Sequence, residues 1–249
     1  LPVPRLQESR HGERTPQVTV DGQVLTLRVV SYLPGIAQYQ VSRSTRLMHE
    51  LGDTLARLDI ALNDFTHPGA QRDLLWDISD MSRLEGWVPQ LTDPEQRRVI
   101  IRVLEIHRQK VVPASQPLRR QVIHNDLNAH NVLVHNTDPQ RLAGVIDFGD
   151  ALHAPLINEL ATALAYQLDS EGDDLFRYCR PMIAAYTARL PLTDAELGPL
   201  PELVASRLSP SLLIAQHRAV LYPQNCDYIL RTQPQARGRL TCLMVLPFS

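Results

Sequence analysis

The chain has 249 residues, 44% of them hydrophobic and 21% charged, with a formal net charge of −2 at pH 7. That length can bury a sizeable core in one large or two small domains, and the near-neutral balance lacks the clustered basic face of a nucleic-acid binder. Cys179, Cys226 and Cys242 are odd in number and form no C-x-x-C pair, so neither a zinc site nor a disulfide framework is implied and a reducing, cytoplasmic setting is expected. No apolar run approaches membrane-spanning length. The stretch Leu1 to Arg5 has no charged n-region or apolar h-region, so no signal peptide is expected.

In chain order, Val18-Thr19-Val20 and Val24 to Val30, joined by Asp21-Gly22, predict a β-hairpin. Pro34 and Gly35 break the second strand. Leu47, Leu51, Leu55, Leu58 and Leu62 recur at helical spacing, which predicts a helix over 43–62 with Ser42 as its cap. The stretch from Asn63 to Trp87 is irregular. Thr92-Asp93-Pro94-Glu95 starts a second helix, carried by Val99, Ile100, Val103, Leu104 and Ile106 and ended at Pro113. Further helices are expected from Pro155 (with Leu160, Ala163, Leu164 and Leu168), over 173–190, 193–208 and 210–222, and within 240–246.

Between the helical segments lies the stretch with the most chemical content. His124-Asn125-Asp126-Leu127-Asn128-Ala129-His130-Asn131 is followed by Asp147-Phe148-Gly149. Phosphoryl transfer needs a carboxylate to take the proton of an attacking hydroxyl, and an amide and a second carboxylate to hold Mg²⁺ against phosphates. The pattern H-x-D-L-x-x-x-N followed by D-F-G supplies these groups in that order. The flanks Val122-Ile123, Val132-Leu133-Val134 and Val145-Ile146 read as short buried strands, so the polar tips converge at one end of a hairpin. The bland alternative makes Asp126 and Asn131 turn residues and D-F-G an ordinary hairpin end; it must then explain all three positions at once. His124 is expected to orient the loop rather than to touch substrate.

These residues, with Ser31 to Gly35 and the late stretch Arg207-Leu208 through His217-Arg218 and Tyr222 to Asn225, resemble the aminoglycoside phosphotransferase and choline kinase group of small-molecule kinases, the hydroxylysine kinases most of all. The resemblance implies an α+β, protein-kinase-like fold: a mostly helical C-terminal lobe, residues 34–249, carrying the catalytic hairpin. It makes Asp126 the catalytic base, Asn131 and Asp147 the Mg²⁺ ligands, and Ser31, Tyr32 and Leu33 the hinge that binds the adenine of ATP. Asp150, Trp76, Arg207 and Arg218 are candidate substrate-binding residues. Each has a structural alternative: a helix cap for Asp150, core packing for Trp76, a buried salt bridge for the arginines. Glu171, Asp173 and Asp174 could draw a cationic acceptor or simply suit a helix start. The short connection from Gly149 to the next helix leaves no room for a long activation segment. The expected partner is therefore a small hydroxyl acceptor, with no nucleic acid and no membrane.

One departure concerns the phosphate grip. Kinases of this kind place a strand lysine and a phosphate-covering loop before the hinge. No lysine precedes Ser31, Gly12 and Gly22 are isolated, and Lys110, the only lysine, lies beyond the hinge. The expectation is that residues 1–33 are the remnant of a small β-rich lobe that is otherwise largely absent, with exposed apolar surface where the rest would pack. The alternative is a kinase-like domain that binds without catalysing.

Overall fold

The computed structural model describes residues 1–246. Residues 1–33 form two small antiparallel sheets. Strands β2 (Gln17–Val20) and β3 (Gln23–Thr26) pair across a tight turn in which Asp21 and Gly22 both adopt positive φ, 51° and 78°. That is the backbone the Asp-Gly pair favours. The second strand does not run on to Val30 as predicted. Leu27 donates its N–H to the Pro16 carbonyl, and the chain then turns so that β4 (Val29–Val30) pairs with β1 (Leu6–Gln7). Val20, Val24, Leu25, Val29 and Val30 on these strands, and Leu27 between them, are exposed.

The segment after Leu33 turns inward. Strand β5 (Ile36–Ala37) joins the edge of a three-stranded sheet, and helix α1 (Thr45–Leu62) follows. Its cap is Ser44, whose Oγ accepts from the Leu47 N–H at 3.1 Å, two residues later than predicted. Helix α2 (Pro94–Ile106) starts as expected, with Asp93 capping the N–H groups of Glu95 and Gln96. Pro113 does not end it. The helix widens into a π turn over His107–Val111 and continues as α3 (Val112–Ser115); the wider turn accommodates a residue that lacks an N–H.

Next come β6 (Arg120–Ile123), β7 (Val132–Val134), β8 (Leu142–Val145) and β9 (Leu152–Pro155). Strands β7 and β8 form the expected hairpin, but β6 pairs with β9, not with β7. Pro155 therefore closes a strand, and helix α4 starts at Ile157 and ends at Ala165. The rest of the chain is helical: α5 (Cys179–Arg189), α6 (Asp194–Leu197), α7 (Leu200–Leu221), α8 (Cys226–Leu230) and α9 (Gln233–Met244). The predicted helix over 173–190 starts only at Cys179, because Asp174 first closes a turn onto the Phe176 N–H. The predicted break at Pro210 is absent, and α7 runs through it. Ser209 and Ser211 donate their hydroxyls back to the carbonyls of Ala205 and Arg207 beside the proline, a local bonding pattern that bends helices without ending them.

The core lies in the helical body. All nine residues of α4 are buried, and α4 packs against α7. Helix α1 lies most extensively on α5, where Gly52 meets the Met182 carbonyl so closely that a Cβ would stand 2.2 Å from the oxygen. Among the described residues no helix is long and apolar enough to cross a membrane.

Candidate active site

The loop between β6 and β7 carries Asp126, and its backbone is held from three sides. Asn125 has φ 66°, a left-handed conformation that asparagine tolerates better than most residues. Its buried N–H donates to Oε2 of Glu159 on α4 at 2.8 Å. The Asp126 N–H donates to Nδ1 of His124 at 3.2 Å, and the opposite ring nitrogen, Nε2, lies 3.0 Å from the Ile146 carbonyl. A carbonyl can only accept, so Nε2 carries a hydrogen, and the ring ties the two loops together. Phe148 stacks edge-on against His124, with centroids 4.7 Å apart.

The Asp126 carboxylate is nearly saturated. Oδ1 accepts from Nη2 of Arg207 at 2.7 Å; Oδ2 accepts from Nδ2 of Asn131 at 2.8 Å and Nδ2 of Asn128 at 3.0 Å. A carboxylate offers about four lone-pair sites. Three are taken, and the remaining one lies on Oδ1. The side chain keeps 19% of its exposure. Asn131 also donates Nδ2 to the Asp126 carbonyl at 2.9 Å, which commits its amide hydrogens inward and leaves its Oδ1 to face away.

Asp147 follows β8 with φ 64°, and its Oδ1 accepts from the Gly149 N–H at 3.2 Å. The side chain is otherwise exposed. Asn131 and Asp147 thus present a few oxygen donors, the set that suits a Mg²⁺ ion sharing its shell with phosphate and water. Among the described residues no three His, Cys, Asp or Glu side chains form a metal cage, so an ion held here would depend on oxygens brought by the nucleotide.

Asp150 ends the short turn after D-F-G. Burial pushes its carboxyl above the usual range, helped by the charge of Asp126 and opposed by Arg207 and Arg72. It therefore belongs to the same electrostatic cluster. Arg207 is 1% exposed. Its Nη1 donates to the Trp76 carbonyl at 3.2 Å, its Nη2 also to the Tyr166 hydroxyl at 3.2 Å, and its guanidinium lies 5.0 Å from the Trp76 ring centroid. Trp76 packs partly buried against the core. Arg218, three turns further along α7 and about 16 Å along the axis, is exposed and is not brought to Asp126. Asp174 pairs with Arg180 at 2.6 Å.

In the segment expected to be the hinge, the Ser31 N–H donates to the Arg5 carbonyl at 2.8 Å, whereas Tyr32 is 85% exposed. Leu33 lies against Gly144 of β8, whose missing side chain admits it: a Cβ there would stand 2.8 Å from Cδ1 of Leu33. Leu33 is thus seated on the hairpin flanked by Asn131 and Asp147.

Sequence reasoning missed Glu159, Asp59 and Tyr166. Asp59 is fully buried on α1, accepts the Tyr186 hydroxyl at 2.6 Å, and is pushed well above the carboxylate range by burial and by the charge of Glu159. Burial raises Glu159 too. A signal for Glu159 exists: it is the one ionisable residue in the largely apolar segment Ile157 to Ala165.

The chain belongs to the phosphotransferase enzyme family, which it matches over residues 2–187. Among curated proteins it is similar to the hydroxylysine kinase of Mus musculus, 29% identical over 216 residues that cover 83% of this chain and 57% of that protein. It is also similar to the homoserine kinase of Parvibaculum lavamentivorans, 29% identical over 203 residues, 78% of this chain and 59% of that one. The chain thus spans somewhat under two thirds of these relatives' length. Among solved structures, a microcompartment-associated aminopropanol kinase superposes with a TM-score of 0.67 at 23% identity, covering 96% of this chain and 78% of the other. An amicoumacin kinase in complex with AMP-PNP and Ca²⁺ gives 0.68 at 18%, covering 100% and 74%. These structural likenesses concern the fold.

Proposed function

We propose that this protein is an ATP-dependent kinase that phosphorylates a hydroxyl group of a small amino alcohol or hydroxy amino acid such as hydroxylysine. The observation that carries the reading is the single open lone pair on Oδ1 of Asp126, whose carboxylate is held by Arg207, Asn131 and Asn128 in a loop anchored through the Asn125 N–H on Glu159. An acceptor hydroxyl donates to that lone pair. As its oxygen bonds to the γ-phosphorus, the proton passes to Asp126 and the bond to the ADP oxygen breaks. Asn131 and Asp147 are the metal ligands in this reading; bound Mg²⁺ supplies charge neutralisation at the phosphates. Tyr32 and Leu33, beside Ser31, present the backbone that meets adenine. Asp150 and the face of Trp76 line the acceptor side, and an amine on the acceptor suits the carboxylate of Asp150. Residues 1–33 serve as the small-lobe side of the nucleotide cleft and the helical body from residue 34 as the acceptor side. Three free cysteines fit a reducing, cytoplasmic setting.

The relatives named for hydroxylysine and homoserine support an acceptor that carries both an amine and a hydroxyl. The test is coupled ADP release with ATP and Mg²⁺ against hydroxylysine, homoserine, aminopropanol, choline, ethanolamine and an aminoglycoside. Acceptor-dependent release with an amino alcohol or hydroxy amino acid supports the reading; no release above the acceptor-free rate with any of them contradicts it.

A further inference from the structure

We infer that Arg207 is a positioning residue that fixes the base oxygen of Asp126, and that it is not an anchor for an acceptor carboxylate. The inference rests on the kinase reading for its catalytic meaning and on geometry for the rest. A guanidinium that is 1% exposed has no face to offer a ligand. Around it lie the Asp126 carboxylate at 2.7 Å, the Tyr166 hydroxyl and the Trp76 carbonyl at 3.2 Å each, and the rings of Trp76 and Tyr166. Its Nε is buried without a hydrogen-bond partner. A charge taken this far from water needs a counter-charge in contact, and Asp126 is the carboxylate that supplies it here.

The lone-pair count gives this contact a function. Oδ1 is both the oxygen Arg207 holds and the oxygen left open for the acceptor hydroxyl. The planar guanidinium fixes the direction of one lone pair on Oδ1 and thereby the direction of the other. Asn131 and Asn128 pin Oδ2, so the carboxylate cannot rotate. Arg207 also joins α7 to the segment containing Trp76, so this orientation is tied to the core. Lysine keeps the charge but not the fork that spans Asp126, Tyr166 and Trp76.

The test uses the full chain with Arg207→Met, Arg207→Lys, Asp126→Leu and the double variant R207M/D126L. Two acceptors are compared: the hydroxy amino acid with the best turnover in the wild type, and its decarboxylated amino alcohol. Positioning predicts that R207M lowers kcat by about 10²-fold on both acceptors, the loss expected of a misplaced reacting group, with the acceptor KM little changed. R207K restores part of kcat. A carboxylate anchor predicts instead a raised KM for the hydroxy amino acid alone, and that result overturns the inference. Thermal unfolding gives a readout independent of turnover. Each single substitution strands a buried charge or its partner, so R207M/D126L melts above both single variants. Melting shifts that simply add would show that the contact does not hold Asp126, whatever the kinase assay gives. Absence of turnover in the wild type would count against the kinase reading alone.

Discussion

The N–H of Asn125 donates to the buried Glu159 carboxylate at 2.8 Å, joining the residue before Asp126 to the centre of the helical body. This bond spans α4 and the catalytic loop, and it holds Asn125 in a left-handed backbone whose cost is of order 1–3 kcal/mol. Replacing Glu159 with leucine leaves a buried donor unpaired. The expected loss is about 1–3 kcal/mol of stability, read by urea unfolding, together with reduced turnover. Glu159→Gln keeps an acceptor oxygen and should recover most of both. Equal stability of the leucine variant and the wild type would show that the bond contributes little.

Asp59 and Glu159 give the fold a pH dependence of definite sign. Both carboxyls are fully buried and both are raised above their ordinary values, Asp59 the more strongly, by burial first and then by the charge of Glu159. The folded state therefore binds more protons than the unfolded state between the unfolded pKa, about 4, and the raised folded values. Stability is full below that range and declines as pH rises through it. Asp59→Asn removes one of the two groups. Its unfolding free energy should fall less steeply with pH than that of the wild type, measured by urea titration from pH 5 to 8. An unchanged slope would remove Asp59 from this role.

Gly52 sets how closely α1 approaches α5. Alanine improves intrinsic helix propensity by about 1 kcal/mol, but its Cβ would meet the Met182 carbonyl at 2.2 Å. The helices must separate, and overpacking of this kind costs about 1–3 kcal/mol, so the balance falls on the destabilising side. A lowered melting temperature for Gly52→Ala checks it; a stabilised variant would mean that the helix pair yields freely.

The motif segment was readable because its signal lies in adjacent residues: the apolar flanks become strands, and Asp126, Asn131 and Asp147 lie in the loops at their ends. The helix start at Thr92-Asp93-Pro94-Glu95 was also readable, with Asp93 as its cap, whereas the helix expected over 193–208 is split into α6 and α7. What escaped was decided by distant parts of the chain. Pro155, Pro113 and Pro210 were expected to open or end helices. Pairing with β6, a π turn and back-bonded serines, respectively, accommodate them instead. The supporting carboxylates of Glu159 and Asp59 lie about a hundred residues apart in the chain, and no local pattern links them. Arg207 was placed at the site by resemblance, but its contact with Asp126 rather than with open space depends on burial that periodicity does not report.

The central claim is that Asp126 receives the proton of an acceptor hydroxyl during phosphoryl transfer. Asp126→Asn is the most direct probe, because its carbonyl oxygen can still accept from Arg207 while the base is gone. Acceptor-dependent ADP release should fall by about 10²–10⁴-fold, the usual contribution of a general base, while the far-ultraviolet circular dichroism and the mode of unfolding stay those of the wild type. Turnover by the asparagine variant equal to that of the wild type would contradict the account.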